Sequence, residues 1–233
     1  GEVSHLDDIK DLVLHLINET QKREEATQTM QTSLESMESE MKLLRMEVSK
    51  INAESSMDSL TKINNRQAFD TDIEGFIYAS KENSTPLCLI IADVDQFKVF
   101  NDTFGHTVGD KVLRFIASLI KNNIKGRDAV ARYSGKQFAL LLPETNYEGA
   151  LVVAENIREK LAKQTLSDSA KKIELGTITA SFGVTSYEVA ESSEQFVQKA
   201  LSALTDAKKS GRNKVIGNNK KHLTNHNIYR TVL

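Results

Sequence analysis

The chain has 233 residues and 39% apolar side chains, enough for one cored domain of ordinary size plus an extension. Thirty basic residues against 32 acidic ones leave a net charge of about −2, which gives no basis for nucleic acid or a membrane surface as the main partner. The single cysteine, Cys88, excludes an internal disulfide and a multi-thiolate zinc site, and no apolar run is long enough to span a bilayer.

In the absence of a visible signal peptide, a cytoplasmic location is the expectation. A longer protein could still carry an upstream sensor or membrane segment.

Residues 1–56 read as a long helix. Between Gly1 and Gly75 there is neither glycine nor proline. A heptad frame places Leu6, Val13, Thr20, Thr27, Leu34, Met41 and Val48 at a. It places Ile9, Leu16, Arg23, Met30, Met37, Leu44 and Ile51 at d. The 3-4 spacing never slips, which predicts a left-handed coiled coil and a parallel homodimer through residues 6–51. Thr20, Arg23 and Thr27 weaken the middle of the seam, a defect that can fix register or permit a shift.

A globular domain is expected over 57–217. The pattern predicts a helix over 66–82, a buried strand over 87–93 and a helix over 108–121. Two strands, 129–133 and 138–142, follow as a hairpin. Next come a helix over 147–164, a strand over 177–185, a helix over 194–209 and a short strand over 214–216. This order predicts an α+β fold with a mixed, mainly antiparallel sheet flanked by helices. Residues 218–233 read as a polar tail. Cys88 sits in the apolar run Leu87-Cys88-Leu89-Ile90-Ile91 and reads as a packing residue.

Four blocks occur in order. The first is Asp58-Ser59-Leu60-Thr61-Lys62-Ile63-Asn64-Asn65-Arg66. The second runs Asp93-Val94-Asp95-Gln96-Phe97-Lys98-Val99-Phe100-Asn101-Asp102-Thr103-Phe104-Gly105-His106-Thr107-Val108-Gly109-Asp110. The third is the hairpin around Arg132-Tyr133-Ser134-Gly135-Lys136-Gln137-Phe138. The fourth is Ala207-Lys208-Lys209-Ser210-Gly211-Arg212-Asn213. Together they resemble the GGDEF domain of diguanylate cyclases. The resemblance implies a palm-like sheet related to nucleotidyl cyclases, and a homodimeric reaction that joins two GTP into cyclic di-GMP with release of pyrophosphate.

Carried over residue by residue, the resemblance makes Asp93 and the backbone carbonyl of Val94 metal ligands. It makes Lys98 a phosphate contact, Asn101 and Asp110 the readers of guanine, and Lys208 and Arg212 the grip on the terminal phosphates. An amide oxygen and a carboxylate suit the guanine edge, and Lys and Arg suit phosphate. His106 reads as a turn residue rather than a general base.

The signature departs from the family pattern Gly-Gly-Asp/Glu-Glu-Phe. Lys136 stands where the second metal carboxylate belongs, Gln137 where the essential Glu belongs, and Ser134 where the first Gly belongs. Two-metal phosphoryl transfer needs concentrated negative charge, and each lost interaction of this kind costs on the order of a hundredfold in rate. The expectation is therefore an impaired cyclase, with Mg2+ the cofactor of any remaining activity or GTP site. Lys136 either supplies a cation beside bound phosphates, holding GTP without magnesium, or points to solvent.

The family's product-inhibition pair corresponds to Lys125 and Asp128. Lysine lacks the planar fork of arginine, which disfavours cyclic di-GMP there. Lys62 replaces a family glycine in the first block, and Thr205 replaces a tyrosine before the last.

Three functions remain open at this point. The first is a catalytically impaired regulator in cyclic di-GMP signalling, dimerised by the coiled coil, that either binds GTP without turnover or acts by protein–protein contact. The second is an active cyclase with an atypical turn, using Asp95 or Asp102 as a substitute ligand. The third is an interaction domain that meets an unknown protein partner and binds no nucleotide.

Overall fold

The computed structural model describes residues 2–168 and 173–218; in the first helix it describes side chains at 16, 18–25 and 27–44. It divides into two units, 1–55 and 56–233. The polar tail read from 218 lies, beyond Asn218, outside the described residues.

The first unit is one helix, α1 (Glu2–Ser55). At 1.5 Å per residue it is roughly 80 Å long. Its described seam positions are open to solvent in the single chain: Leu16 is 57% exposed, Met30 67% and Met37 59%. The seam threonines bond backward to their own helix, Thr20 Oγ1 to Leu16 O and Thr27 Oγ1 to Arg23 O, both at 2.7 Å. The outer seam residues Leu6, Ile9, Val13, Val48 and Ile51 have side chains outside the described residues.

The second unit begins with α2 (Arg66–Asn83), capped by the Asn65 side chain, which accepts from Ala68 N at 2.9 Å. Then come β1 (Leu87–Val94), α3 (Phe97–Phe104), α4 (His106–Lys121), β2 (Ala129–Ser134), β3 (Gln137–Pro143) and α5 (Tyr147–Ala162). The chain continues with β4 (Thr165–Asp168), β5 (Ile173–Thr177), β6 (Ala180–Ser186), α6 (Ser193–Lys209) and β7 (Val215–Gly217). Five strands form one sheet in the order β2-β3-β1-β6-β7. β1 lies antiparallel to both β3 and β6, and β7 runs parallel to β6.

Every residue of β1 is buried, because both faces of the sheet are covered. Cys88, Ile90, Ala92 and Val94 face α4 and α5, packing with Ile116, Ile120 and Ile157. Leu87, Leu89 and Ile91 face α2 and α6, packing with Phe69, Ile73, Phe196 and Leu204. β6 meets α6 so closely that a Cβ on Gly183 would lie 2.1 Å from Ala200 O.

Three expectations need correction. The strand expected over 177–185 is two strands, because β5 pairs with β4 in a separate ladder. The break falls where Thr179 O turns to accept Asp95 N at 2.8 Å. The helix expected to reach 164 ends at Ala162, and β4 begins at Thr165. Finally, α3 is a helix in its own right. Gly105, with φ 86°, ends it and starts α4. Phe97, Phe100 and Phe104, three and four residues apart, form its aromatic face.

Candidate nucleotide and metal site

Asp93 sits at the end of the central strand and is 1% exposed. A buried carboxylate needs partners, and here all of them are nitrogen donors. Oδ2 accepts from Gln137 Nε2 at 2.8 Å and meets Lys208 Nζ at 2.6 Å. Oδ1 faces Lys136 Nζ at 3.2 Å, an electrostatic contact without a well-directed hydrogen bond.

Strand register explains the Gln137 contact, since Asp93 lies directly opposite Gln137 across the β1–β3 ladder. The Ser134 hydroxyl donates to Gln137 Oε1 at 2.8 Å, which turns the amide NH2 toward Asp93. Lys136 arrives from the hairpin turn, whose backbone is fixed twice. Lys136 O accepts Val94 N at 3.2 Å, and Gly135 O accepts from Arg132 Nη2 at 2.7 Å. Arg132 also donates through Nη1 to both oxygens of Asp58 at 3.1 Å.

Asp58 in turn accepts from Thr61 N at 2.8 Å and from the Thr61 hydroxyl at 2.6 Å. Burial alone would push its pKa up. The Thr61 hydrogen bonds and Arg132 outweigh that and hold the carboxyl below its usual range.

The two residues that the resemblance assigns to guanine, Asn101 and Asp110, come from the α3–α4 corner. Asn101, on α3, lies over Gly109 so tightly that a Cβ there would sit 1.9 Å from Asn101 Oδ1. That places the amide against the first turns of α4, which carry Asp110. Asn101 Oδ1 is buried with no hydrogen-bond partner, an acceptor left available for a ligand donor. Lys98 is exposed on the same helix α3.

Arg212 is held by backbone geometry that sequence reading did not foresee. Gly211, Arg212 and Asn213 all have positive φ, at 111°, 59° and 45°. Asn213 N donates to Asp95 Oδ2 at 3.0 Å, and Arg158 Nη1 donates to Asn213 Oδ1 at 2.9 Å. Asp95 also accepts from the Thr179 and Ser181 hydroxyls at 2.8 and 2.7 Å. Asp95 is therefore a structural anchor for the basic loop and is not available as a substitute metal ligand. Asp102 is exposed on α3.

Of the pair that the family resemblance assigns to product inhibition, Lys125 is exposed and Asp128 half-buried. Asp128 Oδ2 accepts from Lys125 N at 2.7 Å, so the carboxylate caps its own loop. Arg127 pairs instead with Glu144.

Among the described residues, no group of three or more His, Cys, Asp or Glu side chains could hold a metal ion. The donor set around Asp93 does not fit a divalent cation: it holds one carboxylate, two ammonium groups and an amide turned NH2-inward. The Lys208 contact escaped sequence reading because it joins the last helix to the first strand across the sheet. The Gln137 contact follows from the pairing of β3 with β1, which the hairpin alone does not specify.

The family model described as "Diguanylate cyclase, GGDEF domain" matches residues 55–214. The chain is 31% identical to the diguanylate cyclase VdcA of Vibrio cholerae over 91% of its length and 61% of that protein. It is 36% identical to diguanylate cyclase A of Treponema denticola over 68% of its length and 43% of that protein. The chain thus spans less than two thirds of these relatives' length. Among solved structures it resembles the coiled coil and GGDEF domain of DgcB from Caulobacter crescentus in complex with c-di-GMP. There the TM-score is 0.71 and the identity 32%, covering 81% of this chain and 99% of that one. It also resembles diguanylate cyclase SiaD from Pseudomonas aeruginosa in complex with its activator SiaC. There the TM-score is 0.67 and the identity 28%, covering 93% and 83%.

The chain belongs to the GGDEF family, the diguanylate cyclase domains of cyclic di-GMP signalling. No helix among the described residues is long and apolar enough to cross a membrane.

Proposed function

We propose that this chain is a GTP-holding regulator in cyclic di-GMP signalling that does not form the cyclic dinucleotide. One observation carries the reading: the ammonium groups of Lys136 and Lys208 and the amide of Gln137 surround Asp93, where the chemistry needs metal-bound carboxylates. The tethered ammonium groups neutralise Asp93 but cannot polarise an attacking 3′ hydroxyl as two metal ions do. The guanine side is better kept. Asn101 and Asp110 stand on adjoining helices, and Asn101 retains an unspent acceptor.

The regulator acts as a parallel homodimer through α1, in the cytoplasm where GTP is found, and passes its nucleotide state to a protein partner. The exposed seam of Leu16, Met30, Leu34, Met37, Met41 and Leu44 supports dimerisation, since a lone helix has no reason to leave this stripe in water. Cyclic di-GMP is not the expected ligand at 125–128, because Lys125 lacks the planar fork that an arginine would offer there.

The test is a turnover assay. Purified protein is incubated with GTP and Mg2+ or Mn2+, and the nucleotides are separated and quantified. The expected result is GTP recovered intact. Sustained cyclic di-GMP formation would establish an active cyclase and end this reading.

A further inference from the structure

A divalent ion beside Asp93 would have to share its space with two fixed ammonium groups. Lys136 Nζ lies 3.2 Å from Oδ1 and Lys208 Nζ 2.6 Å from Oδ2, so both carboxylate oxygens already face a positive charge. Gln137 adds an N–H donor on Oδ2 rather than a ligand atom, with Ser134 locking its orientation. The charge at this tip is two cations against one anion, a surplus of positive charge at the end of a buried strand.

That surplus can still reach a ligand. The side chains of Lys136 and Lys208 are 40% and 31% exposed, whereas Asp93 is sealed below them at 2%. An ammonium has three N–H donors. Each lysine turns toward Asp93 and keeps donors for solvent or phosphate oxygens.

Magnesium binding to a triphosphate removes two negative charges and occupies the phosphate oxygens that the lysines would contact. In most nucleotide sites acidic residues make the metal complex the preferred form. Here the acidic residues are replaced or neutralised, so the preference should invert.

We propose that Lys136 is a specificity-determining residue that makes this site select guanine nucleotides whose phosphates carry no metal, its ammonium standing in the metal's place. Magnesium is then an antagonist of binding. The inference rests on the reading above, that the domain holds GTP, and goes further by naming the ionic form it takes.

The test is isothermal titration of the whole chain with GTP in excess EDTA and again in excess Mg2+, with guanosine as a phosphate-free control. The expected result is binding about tenfold or more tighter in EDTA, the scale of one lost charge-assisted contact, with guanosine insensitive to the metal. Lys136→Met should shrink the EDTA preference to about twofold or less, and Lys136→Asp with Gln137→Glu should reverse it. Thermal melting of each variant without ligand establishes that it folds. In addition, Mg2+ alone should raise the melting temperature of the double variant and leave the wild type unchanged.

Equal or tighter GTP binding in Mg2+ by the wild-type chain overturns the inference while leaving the GTP-holding reading intact. An undiminished EDTA preference in folded Lys136→Met also overturns it, because the selectivity then lies elsewhere. Absence of GTP binding in both EDTA and Mg2+ overturns both.

Discussion

Arg132 and Asp58 form a 3.1 Å two-oxygen ion pair in which the same guanidinium also grips the carbonyl of Gly135 at the hairpin tip. Residues 74 positions apart thereby share one planar fork, and the opening turn of the domain is fastened to the turn that carries Lys136. Arginine suits this task because its donors are rigidly spaced.

Asp58→Asn should destabilise the domain by about 1–2 kcal/mol, since Arg132 loses its counter-charge in a partly buried setting. The pH dependence has a definite sign. Asp58 has a lowered folded pKa, so its contribution is complete above the unfolded carboxylate pKa and fades as pH falls through the folded value. Urea midpoints at pH 7 and pH 3 should therefore differ less in Asp58→Asn than in the wild type. An equal difference would show that the pair does not drive acid sensitivity.

The two lysines on Asp93 should be coupled. Lys136→Met or Lys208→Met, made singly, should each cost about 1 kcal/mol, because the other ammonium and Gln137 remain. Made together they should cost more than the sum, approaching about 3–5 kcal/mol as the buried charge loses both counter-ions. A double-mutant cycle by denaturant unfolding measures the excess. Simple additivity would mean that the two lysines do not act on Asp93 as a coupled pair.

Lys62 adopts φ 57° where the sequence reading noted a family glycine. A side chain there carries a left-handed strain of about 1–2 kcal/mol, part of which glycine returns as unfolded-state entropy. Lys62→Gly should thus raise stability by about 0.5–1 kcal/mol, read as a rise in melting temperature. A fall would reveal a role for the lysine beyond the turn.

Two glycines separate folding from ligand recognition. Gly183→Ala puts a methyl group 2.1 Å from the Ala200 carbonyl and 2.4 Å from Leu204 N, backbone atoms that cannot yield cheaply. A loss of about 3 kcal/mol or more is expected, seen as a large drop in the denaturant midpoint. Gly109→Ala instead meets side-chain atoms, the movable end of Asn101 and the Phe97 ring at 3.1 Å. That variant should fold, yet bind guanosine at least about tenfold more weakly in calorimetry.

Cys88 should be silent toward thiol reagents in the native protein. Burial pushes its pKa up to about 12, and its thiol donates to Thr145 O at 3.2 Å. At pH 8 almost none is thiolate. Modification by an aromatic disulfide reagent should require denaturant; rapid labelling without it would mean that the β1 region opens readily.

The parts of the fold set by apolar pattern alone could be read from the chain. β1 announced itself as an unbroken apolar run, and α1 as an uninterrupted heptad frame. The parts set by a few polar tethers could not. The division between β5 and β6 depends on Thr179 O turning to Asp95 N, a pairing invisible to periodicity. α3 is only eight residues long and is bounded by left-handed Gln96 and by Gly105, so its 3-4 aromatic spacing was concealed within a motif.

The site followed the same division. The order of blocks singled out Asp93, Asn101 and Asp110 as candidates without showing what each side chain touches. The contact of Lys208 with Asp93 and the anchoring role of Asp95 appear only when the last helix and its loop are laid on the sheet. Sequence reading left Lys136 between the phosphates and the solvent; its contact with Asp93 at 3.2 Å establishes a third relationship, to the residual acid itself.

The attachment of the 211–213 loop to Asp95 has a thermodynamic corollary. Its unusual backbone angles are set by an interior carboxylate and do not wait for an incoming anion. If Arg212 grips a phosphate, as the family resemblance implies, binding freezes one side chain rather than a whole segment, and the ordering penalty there is small.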